Sequence, residues 1–200
     1  MKKYILMSIA IIFVLTSQVM AYQYGASNEN QSAIDAIKKF TNLSDLNLHC
    51  FGQLSTNSGN LEIYNSENSF YYVNRDLGIV EGAIFLEPPE LSMNILITQH
   101  DAEIIAKKFA IDHYNDFTGK NFHLIIGKLI DHDSGGKEYI FMWREFINSI
   151  GTPNFIRISV NPESGKIISY RAQQRIIEVS VLPKITREEA IDIAIAQFPG

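Results

Sequence analysis

The sequence predicts an α+β protein made of tandem modules, each a helix packed on an antiparallel four-stranded sheet. Three observations predict it: a helix-forming segment that recurs three times, a turn motif that recurs twice, and runs of strand character separated by short glycine-containing turns. The helical segment reads Ile97-Thr98-Gln99-His100-Asp101-Ala102-Glu103-Ile104-Ile105-Ala106, and 88 residues later Ile185-Thr186-Arg187-Glu188-Glu189-Ala190-Ile191-Asp192-Ile193-Ala194, identical at five of ten positions. A partial copy, Ala33 to Phe40, lines up with Ala102 to Phe109 and shares Ala, Lys, Lys and Phe. The turn motif Val73-Asn74-Arg75-Asp76-Leu77-Gly78-Ile79 returns 87 residues later as Val160-Asn161-Pro162-Glu163-Ser164-Gly165-Lys166.

The first 21 residues read as a secretory signal peptide and not as structure: Lys2 and Lys3, then an apolar run from Ile5 to Leu15, then Val19-Met20-Ala21 at the cleavage position. The run falls well short of the roughly 20 apolar residues a membrane-spanning helix needs, so no span is expected after cleavage. No cysteine follows it, which argues against a lipoprotein.

Residues 22–90 form the first, divergent module. Ala33, Ala36, Ile37 and Phe40 make one apolar helical stripe, and Leu61 to Tyr64, Phe70 to Val73 and Ile79 to Leu86 read as strands. Its stretch from helix to turn is 18 residues shorter than in the next module, so one strand or loop is expected to be reduced. Pro88-Pro89 marks a linker.

Residues 91–181 form the second module. Thr98 with Asp101 is a capping-box pair, and Ala102, Ile105, Ala106, Phe109 and Ala110 give a narrow stripe whose alanines let a helix lie close to a sheet. Four strands follow, Phe122 to Asp131, Tyr139 to Phe146, Asn154 to Val160 and Lys166 to Arg175, joined by short turns that imply antiparallel neighbours. Leu182-Pro183 introduces residues 182–200, where Thr186 and Glu189 cap a third helix with no sheet after it. Its stripe must dock on the second module or be covered by a continuation of the chain; the latter is the expectation.

The chain carries 17 Lys and Arg against 22 Asp and Glu, a formal charge of −5, which becomes −7 without Lys2 and Lys3. An acidic chain with no basic stripe is not expected to bind nucleic acid. Cys50 is the sole cysteine, so no internal disulfide can form, and it is expected to be buried and inert. The sequons Asn30-Gln31-Ser32 and Asn42-Leu43-Ser44 are short enough to arise by chance.

Catalytic patterns are sparse. Asp131-His132-Asp133 lacks a glutamate at the calcium-loop spacing, where Met142 stands, and reads as a solvated hairpin turn. His100 aligns with Glu188 and reads as exposed, and His113 and His123 show no zinc-ligand spacing. His49 and Cys50 would point to opposite faces of a strand, and no Gly-x-Ser-x-Gly, His-Glu-x-x-His or phosphate-binding glycine loop is present. No enzyme, cofactor or metal is therefore expected. The most informative candidate is a surface: if Ile140, Met142 and Phe146 meet the helix, then Phe141, Trp143, Phe155 and Arg157 form an open aromatic and arginine patch for a protein partner. An unpaired sheet edge offers a second route, by strand addition.

The capped helix, the strands and the Val160-Asn161-x-Glu163-Ser164-Gly165-Lys166-Ile167-Ile168-Ser169-Tyr170 run resemble the PepSY domain. The segment Tyr139 to Phe146 with Asn148, Gly151 and Pro153 is most similar to PepSY-like repeats of the YcdB/YcdC type. The resemblance covers residues 97–175, and 185–198 as the start of another unit, and is weaker over 31–86. It implies a cystatin-like helix-on-sheet architecture in an exported protein, secreted or held at the cell surface or envelope, with Gly78 and Gly165 as structural turn residues. It also implies a non-catalytic role: inhibiting or chaperoning an exported peptidase or envelope protein. Two alternatives share the resemblance: the propeptide of a secreted hydrolase, and a structural envelope repeat.

Overall fold

The computed structural model describes residues 22–23, 30–56, 59–86, 91–178 and 184–197. The expected signal peptide, the Pro88-Pro89 and Leu182-Pro183 linkers and residues 198–200 lie outside them. The fold is α+β with antiparallel strand pairing, and it divides into two compact units between Val80 and Glu81. That division falls inside a strand, whereas the sequence placed its boundary after residue 90.

The first unit holds α1 (Gln31–Thr41) and the strands β1 (Tyr22–Gln23), β2 (His49–Thr56), β3 (Gly59–Ser66) and β4 (Ser69–Asn74), each paired with the next. Asn30 caps α1 by accepting from the Ser32 N–H, Lys38 and Lys39 complement the dipole in the last turn, and Asn42 ends the helix in the left-handed region. The expected stripe is buried at Ala33, Ile37 and Phe40, with Phe40 edge-on to Tyr71 of β4. β2 adds a strand that the sequence reading lacks, so the expected shortening of this stretch lies in the lengths of its strands, 8, 8 and 6 residues for β2, β3 and β4, and not in a lost strand. Gly52, Gln53, Ser55 and Thr56 dilute its apolar signal to Cys50, Phe51 and Leu54, and a bulge between Cys50 and Gly52 breaks its alternation.

The second unit holds most of β5 (Ile79–Phe85), then α2 (Gln99–His113), β6 (Phe122–Asp131), β7 (Lys137–Ile147), β8 (Ile150–Val160), β9 (Ile167–Gln173) and α3 (Arg187–Gln197). Its strands run in the order β5-β9-β8-β7-β6. β6 has the bounds read from the sequence, and β7 and β8 start a few residues earlier than expected. α2 has a complete capping box: the Thr98 hydroxyl accepts from the Asp101 N–H at 3.1 Å, and the Asp101 carboxylate accepts from the Thr98 N–H. Ala102, Ala106 and Ala110 are fully buried, which brings the α2 backbone close to the sheet. Thr186 and Glu189 cap α3 in the same way, yet every described residue of α3 is exposed.

Both turn motifs are built alike. The Asn74 side chain accepts from the N–H groups of Asp76 and Leu77, and Gly78 closes the turn at φ 63° with its N–H on the Asn74 carbonyl. Asn161 accepts from Glu163 and Ser164, and Gly165 closes its turn at φ 72° on the Asn161 carbonyl. Positive φ is the conformation glycine adopts without a Cβ penalty.

Candidate functional site

The register of the second unit decides which side chains share a face, because directly paired residues project to the same side of a sheet. Phe141 pairs with Ile158, which pairs with Tyr170; Trp143 pairs with Ile156, which pairs with Ala172. This is the face under α2. Phe109 of α2 meets the Tyr170 ring at 5.7 Å, Phe117 meets Trp143, and the Tyr139 hydroxyl donates to the Ile97 carbonyl just before the helix. Phe141 is fully buried and Trp143 is 4 % exposed.

The expected four-residue patch is therefore corrected: Phe141 and Trp143 belong to the core, and only Phe155 and Arg157 stand on the opposite side. The same register places Ile140 and Met142 away from the helix, contrary to the sequence assignment. Alternation in β7 is apolar on both faces, so the strand by itself could not settle which set pointed inward. The arginines carry the missing signal: Arg144 shares a face with Ile140 and Met142, and Arg157 shares one with Phe155. An arginine side chain with no buried carboxylate partner belongs on the solvated face.

That helix-free face can be built row by row. Arg171 of β9 lies opposite Arg157 of β8, which lies opposite Met142 of β7 and then Ile126 of β6. The next row is Gln173, Phe155, Arg144 and His123, and the row on the other side is Ser169, Ser159, Ile140 and Lys128. Arg171 lies over the Phe155 ring with its guanidinium carbon 5.7 Å from the centroid, a cation–π arrangement. Partial burial, followed by the facing Arg157 charge, holds the Arg171 pKa below its usual value. Arg144, Arg157, Arg171 and Lys128 thus gather on one face of an acidic chain. Glu138, bonded to His132 at 2.9 Å, is the acid at its margin.

A second polar cluster lies at the Trp143 end of the covered face. Glu145, buried in β7, accepts from the Asn154 amide at 2.6 Å and from the Thr152 hydroxyl, and has Lys120 at 3.6 Å. Asn154 also brackets Arg175, accepting from its N–H at 2.7 Å and donating to its carbonyl at 3.0 Å, while the Arg175 guanidinium pairs with buried Glu81. Burial, with Glu145 and Glu81 close by, raises the pKa of Tyr114. These groups satisfy one another and pin residues 174–175 to the sheet, which is a structural arrangement.

Among the described residues no group of three or more His, Cys, Asp or Glu side chains could hold a metal ion. Asp131-His132-Asp133 forms an exposed turn in which Lys137 pairs with Asp131, and His100 is exposed. Cys50 is half-buried on β2 beside exposed His49, the two alternating along the strand. No described helix is long and apolar enough to cross a membrane.

No protein-family model matches the chain, and no curated protein matches it. Among solved structures it is similar to the Bacillus megaterium YpeB C-terminal domain, with a TM-score of 0.53 and 18% identity over 84% of this chain and 75% of that one. At that identity the likeness concerns the fold, which is PepSY-like.

Proposed function

We propose that the chain is an exported, non-catalytic PepSY-like protein of the YcdB/YcdC type that binds and regulates another exported protein, inhibiting or chaperoning a peptidase or envelope protein. The observation that carries the reading is the helix-free face of the second unit, where Phe155 and Met142 lie among Arg144, Arg157 and Arg171. Aromatic and arginine side chains on a half-exposed sheet face are the composition that anchors protein partners. The leader-like residues 1–21 support export. The run of four strands after each of α1 and α2, and the third capped helix, support a tandem-module organisation.

The test is capture from the native secreted and envelope fraction with the wild-type chain and with Arg157→Glu and Phe155→Ala variants. Neither side chain belongs to the packed core, so circular dichroism should report unchanged folding for both. A partner retained by the wild type and lost by Arg157→Glu supports the reading and locates the surface. Equal retention by all three folded proteins overturns the assignment of that face. Trp143→Ala is unsuitable as a probe, because truncating a buried tryptophan costs about 3–5 kcal/mol in folding and would mimic loss of binding.

A further inference from the structure

α3 and the helix-free face of the second unit are complementary in charge and in apolar spacing. Along α3, Glu188, Ile191, Asp192 and Ile195 fall at i, i+3, i+4 and i+7, so two carboxylates and two isoleucines share one side of the helix. Ile191 is 44% exposed and Ile195 64%, an unusual state for isoleucines on a capped helix. On the sheet, Arg144, Arg157 and Arg171 surround Met142 and Phe155. Ile140 and Ser159 on this face are already buried, while Met142, Phe155 and Arg157 are half-exposed, and a helix laid across a partly apolar sheet face buries such residues further.

We propose that this face receives α3 from a second copy of the chain, with Glu188 and Asp192 meeting Arg144 and Arg157 while Ile191 and Ile195 pack on Met142 and Phe155. The proposal deepens the docking-surface reading above and rests on it. The occupant is a second copy because the chain's own α3 has no buried residue and is not docked on the sheet. Reciprocal exchange of α3 between two copies closes a two-fold dimer and uses the same contact twice, which an open head-to-tail chain would not.

Sedimentation equilibrium of the full chain over a wide concentration range tests it. The expected result is a monomer–dimer equilibrium that weakens as salt rises. Arg144→Glu/Arg157→Glu and Glu188→Arg/Asp192→Arg should each weaken dimerisation at least about tenfold, and the chain carrying all four changes should recover it, since the charges are then exchanged across the contact. The α3 pair lies on an exposed helix and leaves the packed unit untouched, so it stays informative even if the sheet variant misfolds. A chain that stays monomeric at every concentration overturns the proposal, as does a dimer indifferent to both reversals. Amide protection of α3 that is lost in the reversals but independent of concentration also overturns it, by placing α3 on its own sheet. If self-association is absent while Arg157→Glu still abolishes capture of another protein, the second copy is the wrong occupant and the docking surface stands.

Discussion

The two units share a turn and differ in how they hold the helix above it. Val73 pairs with Glu62 and Val160 with Tyr139, so Glu62 and Tyr139 occupy matching places one strand from the repeated turn. In the first unit the buried Glu62 carboxylate accepts from the side chain of Asn30, the N-cap of α1, and has Arg75 at 3.8 Å. In the second the Tyr139 hydroxyl donates to the Ile97 carbonyl, next to the N-cap Thr98. Both bonds tie the start of a helix to the same strand position. The turn is retained because few residues meet its backbone demands: an asparagine to accept from two N–H groups and a glycine at positive φ. The helix tether only needs a hydrogen bond, which a carboxylate and a phenol can each supply.

If that account is right, the largest effects should come from the shared element and be similar in both units. Asn74→Ala and Asn161→Ala each strand two backbone N–H groups beside a buried side chain, and each should cost about 2–3 kcal/mol in urea unfolding. Local amide exchange would assign the loss to its unit. A large cost at Asn161 with none at Asn74 would break the equivalence.

The glycines should separate the units. A methyl group at Gly165 would stand 3.1 Å from Ile105 Cδ1 of α2 in addition to the positive-φ penalty, whereas at Gly78 the nearest atom, Ser32 Oγ, is 3.6 Å away. Gly78→Ala should cost about 1–2 kcal/mol from backbone strain, and Gly165→Ala more, by the displacement of Ile105. Equal costs would mean that Ile105 moves aside freely.

Helix caps come next. Thr98→Ala should cost about 1 kcal/mol. Asn30→Ala should cost more, because it removes the cap on Ser32 and also the amide donor to Glu62. Thermal unfolding of both variants against wild type measures the difference, and a smaller loss at Asn30 would show that the Glu62 tether contributes little.

How much of this was open to sequence reading depended on whether a residue's role was local. Thr98 with Asp101, Thr186 with Glu189, and Gly78 with Gly165 announce caps and turns because their partners lie within four residues. β6 was read to its bounds, since its neighbours in sequence supply its turns. β2 leaves little trace in the sequence because its apolar residues are few and its pairing with β3 is bulged. The inward face of β7 was misread for a related reason: Phe141, Trp143, Ile140 and Met142 are apolar in both registers, and only the pairing of Trp143 with Ile156 and of Arg157 with Met142 decides between them. Phe155 and Arg157 do lie off the helix-covered face, as the sequence reading has them, because the run Ile156, Ile158 and Val160 marks the inward face of β8. Arg171 and Arg144 carry no site signal in the sequence, because only lateral strand order brings them beside Arg157.

The smallest effect concerns acid. The Thr98 hydroxyl and N–H, by bonding the Asp101 carboxylate, hold its pKa below the usual carboxylate value. A carboxylate depressed on folding contributes stability that is present above its unfolded pKa and lost as pH falls through its folded value. The N-terminus of α2 should therefore loosen as pH drops below about 4. The α1 cap should not share this loss, because the Asn30 side-chain oxygen that accepts from Ser32 does not titrate. Amide exchange at Ala102 and Glu103 compared with Ala33 and Ile34 across that range tests the contrast, and Asp101→Asn should flatten the α2 response. Parallel loosening of both helix starts would place the acid-sensitive group elsewhere than at the Asp101 cap.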